Sequence, residues 1–264
     1  MSGEPFFLHA LDDDEMFPPT EQALTEPDGL LAFSRNITLA RLESAYRQGI
    51  FPWYSDDQPV LWWSPESRMV LDCEKFHASH SLRKRLKKIA RDQSLGDLRT
   101  CVVTVNCAFN AVLEGCATRG DVSQNASTWI TPHMQQAYKA WHQQGRVHSI
   151  EAWQNDELVG GLYGVSIGAT FFGESMFTRA TDASKIALAH LVKFLKRQNV
   201  SFIDCQMVTN HLGTLGASPI NRANFLSRVA KGIDQPNLPW QAGWINSEGE
   251  IMPTSTLLAL PFVS

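Results

Sequence analysis

Several common features are missing from this sequence of 264 residues. It has five cysteines, an odd number, and no two of them form a Cys-x-x-Cys pair, so neither a disulfide framework nor a zinc site is indicated. No apolar run approaches the ~20 residues needed to span a membrane. The first residues carry acids where a secretory signal carries basic residues. These absences together predict a cytoplasmic protein that does not enter a membrane.

The glycine-rich loops that hold nucleotide cofactors are also missing. There is no Walker or Rossmann motif, and no Arg/Gln-x-x-Gly-x-Gly/Ala loop of the kind that binds the pyrophosphate of coenzyme A. Residues 164–168 match the Gly-x-Ser-x-Gly pattern of hydrolases around Ser166, with Asp204 and His211 following in the hydrolase order. The residues after this motif predict a strand instead of a helix, so Ser166 is expected at a hairpin. We therefore expect no hydrolase, no metal and no cofactor.

Positive charge is scarce overall but concentrated in one segment. The 23 basic and 27 acidic residues give a formal net charge of −4, which argues against a general nucleic-acid coat. Residues 75–91, however, contain seven basic side chains and no acid. Leu82, Leu86 and Ile89 place one apolar stripe on a helix in this segment, and the rest of its surface is basic. This face suits a polyanion such as RNA, and a purely solvated face is the alternative.

The chain divides into a loop-rich start and a longer remainder. Residues 1–66 are rich in proline, glycine and tryptophan, which predicts a small N-terminal domain with a helix over 39–48. Residues 67–264 form the expected second domain. Its predicted strands are 98–105, 147–153, 158–165, 169–177 and 200–208, and its predicted helices are 81–91, 109–116, 132–144, 184–197 and 218–229. This order of elements predicts an α+β fold with a mixed sheet.

Three polar residues in apolar strands are candidates for chemistry. Asp204 and Gln206 are expected on one face of a strand, about 7 Å apart. A carboxylate and an amide so placed can orient an amine and a carbonyl together; the alternative is an acid that meets an arginine or a helix N-terminus. Glu174 is expected to share a face with Phe172 and Met176, either as a ligand group or as half of a core ion pair.

Tryptophans supply candidate stacking surfaces. Trp53 and Trp129 lie in proline-containing or polar contexts, where an open aromatic ring can stack on a nucleobase. Trp62 and Trp63 are expected to serve in packing.

Nine short motifs occur in order over about residues 20–230. They are Pro27-Asp28-Gly29-Leu30-Leu31, Tyr46-Arg47-Gln48-Gly49-Ile50-Phe51-Pro52-Trp53, Leu61-Trp62-Trp63-Ser64-Pro65, Thr128-Trp129-Ile130-Thr131, His148-Ser149-Ile150-Glu151, Leu158-Val159-Gly160-Gly161-Leu162-Tyr163-Gly164, Gly173-Glu174-Ser175-Met176-Phe177, Ala183-Ser184-Lys185 and Ile203-Asp204-Cys205-Gln206. Together they resemble the motifs of the leucyl/phenylalanyl-tRNA–protein transferase family, and their common order is far more specific than any single motif.

The resemblance implies a fold and a reaction. The second domain would be similar to the N-acetyltransferase (GNAT-like) fold. The family's activity would be transfer of Leu, Phe or, less well, Met from aminoacyl-tRNA, with Leu-tRNA and Phe-tRNA as donors. The acceptors would be proteins with N-terminal Arg or Lys, which are then degraded by the bacterial N-degron pathway. We expect the protein to act as a monomer.

The resemblance also assigns roles to individual residues. Asp204 and Gln206 match the proposed catalytic pair, and Glu174 matches an acid of the active site. Trp53 and Trp129 match residues around the terminal adenosine. Met176 and Leu188 match the wall of the amino-acid side-chain pocket. Two pocket positions depart from the family pattern, because Leu162 and Leu191 stand where relatives can carry Met and Phe. Both stay apolar, so the class of transferred side chain is expected to hold, whereas the preference between Leu and Phe is left open. On the basic helix, the residues expected to bind tRNA are Arg83, Lys84, Arg85, Lys87 and Lys88.

These residues suit a reaction that depends on positioning. The ester donor is already activated, and an α-amine with a pKa of about 7.7–8.0 is partly neutral near pH 7. We hypothesise that Gln206 polarises or orients the reacting centre and that Asp204 holds the attacking amine and tunes Gln206. Glu174 would serve either the acceptor's basic end or the donor's α-ammonium. One alternative function is a CoA-dependent N-acyltransferase, but the sequence lacks the loop that binds the pyrophosphate of coenzyme A. The other is a non-enzymatic RNA-binding protein, in which Asp204, Gln206 and Glu174 would have no function.

Overall fold

The computed structural model describes residues 8–12, 15–98, 100–118 and 130–257. Within these ranges the chain forms two β-sheets and seven α-helices.

A four-stranded sheet forms the N-terminal part of the structure. Its strands are β1 (His9–Leu11), β2 (Leu30–Ser34), β3 (Phe51–Pro52) and β4 (Val60–Trp63), in the order β1-β2-β4-β3. Helix α1 (Leu39–Arg47) begins after Thr38, whose side chain accepts a hydrogen bond from the Arg41 backbone N–H. This contact satisfies one of the free N–H groups of the first turn. The helix predicted over 39–48 is confirmed to within one residue.

A nine-stranded mixed sheet forms the larger part. Its strands are β5 (Ser67–Asp72), β6 (Val102–Val105), β7 (Val147–Gln154), β8 (Glu157–Ile167), β9 (Thr170–Thr178), β10 (Phe202–Gln206), β11 (Ser218–Asn221), β12 (Gly243–Ile245) and β13 (Ile251–Met252). They lie in the order β11-β5-β10-β9-β8-β7-β6-β12-β13. The pair β9–β10 is parallel, whereas the other neighbours are antiparallel.

Six helices accompany this sheet. They are α2 (His80–Ser94), α3 (Phe109–Ala117), α4 (Pro132–Gln143), α5 (Ala183–Arg197), α6 (Asn210–Thr214) and α7 (Arg222–Gly232). The predicted start of α4 is confirmed, because the Thr131 side chain accepts from the Met134 backbone N–H and Pro132 takes the first helical position.

The helix predicted over 218–229 is partly wrong. Ser218–Asn221 instead forms the edge strand β11, paired with β5, and the helix begins only at Arg222. Pro219 is compatible with an edge strand, which leaves N–H positions unpaired. Asn221 then caps α7 by accepting from the Asn224 backbone N–H. The strands predicted at 98–105 and 200–208 are also shorter, at Val102–Val105 and Phe202–Gln206.

The nine-stranded sheet separates two hydrophobic cores. The first core joins the N-terminal sheet and α1 to α3, α4 and α7, and includes Tyr46 and Val165. The second core lies under α5 and α2, and includes Leu162 and Leu191. Val165 and Leu162 both belong to β8, so side chains of one strand fill the cores on both faces, as strand geometry requires.

The predicted α+β class with a mixed sheet and a separate N-terminal domain is confirmed. The chain leaves the small sheet at Trp63 and enters the large one at Ser67; the exact boundary at residue 66 stays a prediction. Among the described helices, none is both long and apolar enough to cross a membrane.

Candidate active site

The three candidate catalytic residues meet where β9 and β10 run side by side. These strands pair through Phe172 and Asp204. Close to that point each strand has an irregularity: Glu174 has no partner on β8, and Cys205 has none on β5. Such bulges redirect side chains. Their effect is that Glu174 and Gln206 face each other, with Gln206 Nε2 at 2.8 Å from Glu174 Oε1.

Two tyrosines hold the Glu174 carboxyl from the side of the first core. The Tyr46 hydroxyl of α1 lies 2.8 Å from Oε1, and the Tyr138 hydroxyl of α4 lies 3.0 Å from Oε2. The two hydroxyl oxygens are themselves 2.7 Å apart. Three oxygen–oxygen contacts need three protons, and two tyrosines carry only two. A proton on Glu174 would supply the third.

The surroundings of Glu174 favour that proton. Burial raises the pKa of the Glu174 carboxyl to about 7, and the nearby charge of Asp204 acts in the same direction. Hydrogen bonds from Tyr46, Tyr138 and Gln206 oppose this shift without cancelling it. Glu174 therefore changes charge near neutral pH. Within the described part of the chain Glu174 forms no ion pair, and its carboxyl lies among neutral donors instead. Its role as a ligand group stays a prediction.

Asp204 occupies a different environment. It is 0% exposed and forms a two-pronged ion pair with Arg68 of β5, through Nε at 2.9 Å and Nη2 at 2.7 Å. Its Oδ1 also accepts from the Gln206 backbone N–H at 2.9 Å. An acid that meets an arginine was the alternative open from the sequence, and the structure has that contact. Asp204 and Gln206 still belong together, since the carboxylate binds the Gln206 backbone.

The expectation that Phe172, Glu174 and Met176 share one face is wrong. Phe172 and Glu174 point toward Tyr46, with the rings of Phe172 and Tyr46 5.2 Å apart. Met176 packs against the second core instead. The cause is the bulge in β9, because one extra residue reverses the alternation of the side chains beyond it.

The four predicted pocket residues all belong to the second core, on the opposite face of the sheet. Met176 pairs with Leu162 across β9 and β8, and Leu188 and Leu191 extend from α5 into the same second core. Leu191 is 0% exposed, whereas Met176 is half-buried. Strand β9 continues to residue 178, beyond the end of β10. Met176 therefore lies on the part of β9 that β10 does not cover.

The tryptophans of the described ranges differ in exposure. Trp53 is 41% exposed, and its ring lies edge-on to Trp63 at 5.7 Å. The Trp63 indole N–H donates to the Trp53 carbonyl. Trp62 is buried and donates to the Ser34 hydroxyl, which confirms its role in packing. Trp129 lies outside the described residues.

The basic segment forms the helix α2, as predicted. Its five candidate side chains are all exposed, and they are Arg83, Lys84, Arg85, Lys87 and Lys88. Two of them have carboxylate partners: Arg85 lies 3.3 Å from Asp182, and Lys88 lies 2.5 Å from Asp92. The other three form no ion pair within the described part of the chain.

Ser166 is located at a hairpin, as expected. It lies near the end of β8, and its hydroxyl donates to the Thr170 carbonyl at the start of β9. A hydrolase nucleophile must instead lead from a strand into a helix, so the hydrolase interpretation is excluded.

Sequence reasoning missed three residues that contact the candidate site. Tyr46 and Tyr138 are on the buried faces of predicted helices, where an aromatic residue is ordinarily a packing residue. Arg68 carried a clearer signal, since it is a lone charge in the otherwise apolar segment Arg68–Leu71, and a buried charge needs a partner.

The fold and the site together define an α+β enzyme whose polar site lies between a small N-terminal domain and a mixed sheet. The family model described as leucyl/phenylalanyl-tRNA protein transferase matches residues 70–230, and the model of that family's N-terminal domain matches 35–66. The chain belongs to the leucyl/phenylalanyl-tRNA–protein transferase family, and it is a transferase.

Individual relatives agree with the family models. A leucyl/phenylalanyl-tRNA–protein transferase of Bordetella avium is 55% identical over 245 residues, which cover 93% of this chain and 97% of the relative. One of Stutzerimonas stutzeri is 49% identical over 231 residues, covering 87% and 97%. Among solved structures, L-PGS from Bacillus licheniformis overlaps 68% of this chain and 54% of its own at 12% identity, with a TM-score of 0.34.

Proposed function

We propose that this transferase moves Leu or Phe, and less well Met, from aminoacyl-tRNA to the N-terminal Arg or Lys of acceptor proteins, which marks them for the N-degron pathway. Family membership supports the reaction class, aminoacyl transfer from tRNA to a protein. The observation that carries the assignment to residues is the convergence of Gln206, Glu174 and Asp204 at the β9–β10 junction.

Gln206 is the residue we assign to the reacting centre. Its amide Nε2 donates to Glu174, which leaves its Oε1 as the end available to a substrate. A carbonyl oxygen in that place accepts a hydrogen bond from the attacking α-amine and so aims the nitrogen lone pair at the ester carbon. The new amide bond forms, the ester C–O bond breaks, and a proton passes from the amine to the leaving ribose oxygen.

Asp204 acts on this centre indirectly. Its oxygens are occupied by Arg68 and by the Gln206 backbone, and it is completely buried. This argues against the hypothesis that Asp204 holds the attacking amine. We propose that it holds Gln206 in place.

Glu174 supplies negative charge beside Gln206 when it is ionised. That charge serves either the acceptor's basic end or the donor's α-ammonium, and Glu174→Gln separates the two roles. A rise in KM confined to the acceptor peptide assigns the first role, and a rise confined to aminoacyl-tRNA assigns the second.

The donor is held at three further places. We propose that Trp53 and Trp129 stack on the terminal adenosine and that exposed basic residues of α2 contact phosphates. The side chain of the transferred residue would lie against the second core, in a pocket formed by Met176, Leu162, Leu188 and Leu191.

Further proposals concern the whole molecule. The parallel pair β9–β10 at the end of an antiparallel meander supports a GNAT-like second domain beginning at residue 67. We propose that the protein acts as a monomer in the cytoplasm, where aminoacyl-tRNA is available.

One experiment tests the proposed function directly. The protein is mixed with labelled Leu-tRNA or Phe-tRNA and a peptide that begins with Arg, and the peptide mass is followed. We expect extension by one residue, no extension of the same peptide after N-acetylation, and a severe loss of single-turnover transfer with folded Gln206→Ala. Absence of extension with both tRNAs would refute the proposal.

A further inference from the structure

Arg68 is a buried charge whose surroundings suit only an arginine. It is 1% exposed, and its guanidinium lies 4.5 Å from the ring centres of both Phe51 in β3 and Phe225 in α7. Its Nε and Nη2 atoms bind the two oxygens of Asp204. A flat, delocalised cation can stack on aromatic rings while its fork holds both oxygens of a carboxylate. A lysine ammonium is a point charge, which has no plane to stack and no fork.

Stability alone does not account for such a pair. Burying two charges removes both from water, and well-packed apolar residues often stabilise a core as well or better. The pair therefore points to a task that needs a carboxylate held in one orientation.

The residue that needs the fixed carboxylate of Asp204 is Gln206. Asp204 Oδ1 accepts from the Gln206 backbone N–H at 2.9 Å. Gln206 has a φ of +60°, a left-handed conformation that residues with a side chain seldom adopt and that persists where the surroundings enforce it. The conformation lies at the irregularity of β10 and directs the Gln206 amide toward Glu174.

We propose that Arg68 is a positioning residue for the transfer reaction. Its ion pair fixes the orientation of the Asp204 carboxylate. That carboxylate in turn holds the backbone of Gln206 in the left-handed conformation. The backbone conformation then orients the side-chain amide of Gln206 at the reacting centre. The N-terminal domain contributes to this positioning, because the ring of its residue Phe51 packs against the Arg68 guanidinium. The inference rests on the proposed function of Gln206, because positioning matters only if that amide works in the reaction.

The expected kinetic signature follows from the burial of Arg68. A residue so deeply buried is not placed to bind either substrate from solution, so its loss should leave KM for aminoacyl-tRNA and for the acceptor peptide within about twofold. A misdirected amide should lower kcat by on the order of 100-fold, the effect of displacing a reacting group by about 1 Å.

The central test compares Arg68→Lys with Arg222→Lys as a matched control. Arg222 is also a buried arginine at the contact between the two domains, but its Nε donates to the Ser64 carbonyl and not to Asp204. Urea unfolding measures the stability of both variants, and steady-state kinetics give kcat and KM for both substrates. We expect the loss of kcat only in Arg68→Lys. A normal kcat in a folded Arg68→Lys protein, or an equal loss in Arg222→Lys, would overturn the proposal.

A double-mutant cycle with Asp204→Asn tests the path. If Arg68 acts through Asp204, the double variant should lose no more kcat than the more impaired single variant, and multiplicative losses would contradict the path. Should Arg68→Lys fail to fold, Phe225→Leu takes its place in the cycle, because it loosens the guanidinium while keeping both charges. Unchanged kcat in folded Phe225→Leu would then count against the proposal.

Gln206→Ala in the same assay distinguishes a failure of the proposed role of Gln206 from a failure of the proposed role of Arg68. If that variant retains full kcat, the proposed role of Gln206 fails and the positioning path fails with it. If Gln206→Ala is inactive while Arg68→Lys is normal, only the positioning path fails.

Discussion

Replacing Glu174 with glutamine should remove a pH-dependent loss of stability that the native protein undergoes. Burial raises the pKa of the Glu174 carboxyl from 4.5 to about 7. Between these two values the folded state binds the proton that the unfolded state has released. The stability contributed by this group is therefore fully present below pH 4.5, and it is lost as pH rises through about 7.

The size of the effect follows from the two pKa values. Each pKa unit corresponds to ~1.4 kcal/mol, and Glu174 is half-buried, so the loss is at most on the order of 3 kcal/mol, most of it between the two pKa values, from pH 4.5 to 7. This is a large part of the ~5–15 kcal/mol that stabilises an ordinary domain. The glutamine variant keeps the size of the side chain and does not ionise, so it should lack this slope.

Urea unfolding at pH 5, 6, 7 and 8 measures the effect as a difference between the two proteins. Burial also lowers the pKa of His148 from 6.5 to about 3 and that of His190 from 6.5 to about 4, so both add a slope of the opposite sign below about pH 6.5. This slope is common to both proteins and cancels in the difference between them. The free energy of unfolding of the native protein should fall relative to that of Glu174→Gln as pH rises. Parallel curves would refute the assignment of a neutral-range proton to Glu174.

The ionisation of Glu174 should also change the pH dependence of the transfer rate. If ionised Glu174 is the working form, kcat/KM of the native enzyme should rise with pH through about 7. Glu174→Gln should lose this limb and retain the separate limb of the acceptor amine, whose reference pKa is about 7.7–8.0. Identical pH profiles would argue that the charge of Glu174 has no part in transfer.

Three further predictions follow from the same geometry. Tyr138→Phe removes a hydrogen bond that lowers the pKa of Glu174, so the stability transition should move to higher pH, and a midpoint at lower pH would contradict this. A triple reversal to glutamate uses the exposed basic residues Arg83, Lys84 and Lys87. It should raise KM for aminoacyl-tRNA and flatten its salt dependence, and an unchanged salt slope would exclude this face from tRNA binding. Leu191→Ala empties space in the second core, so urea unfolding should show a loss of about 2–5 kcal/mol. Competition between Leu-tRNA and Phe-tRNA should then shift toward the larger Phe, and an unchanged ratio would place the pocket elsewhere.

Most of the fold was accessible from the sequence because its signals are local. The period of apolar residues predicted α2 and α5. The helices predicted to start at residues 39 and 132 do start there, directly after the capping residues Thr38 and Thr131. The strands predicted at 147–153 and 158–165 match β7 and β8 to within two residues at each end. Each signal lies within a few residues of the structure it determines, so no knowledge of distant neighbours was needed.

The candidate site was predictable only in part. Asp204, Gln206 and Glu174 stood out as polar residues in apolar strands, and family motifs added their roles. Their actual arrangement depends on two bulges, which no alternation pattern announces. Met176 was wrongly predicted to lie on the same face as Glu174 because alternation without a bulge would place both side chains on one face.

By itself the sequence determined the class of fold, most helices and strands, the basic face of α2 and the identity of the polar residues, because these follow from local periodicity, capping and composition. Tertiary structure alone decided which partners those residues meet. Arg68 reaches Asp204 across 136 positions of sequence, and Tyr46 reaches Glu174 across 128. The Tyr46 contact lowers the pKa that burial raises at Glu174. The Arg68 contact holds the Asp204 carboxylate, which accepts from the Gln206 backbone. The physical reason is that a pKa or a strained backbone depends on burial and on distant hydrogen-bond partners, which exist only once the sheet and both cores have formed.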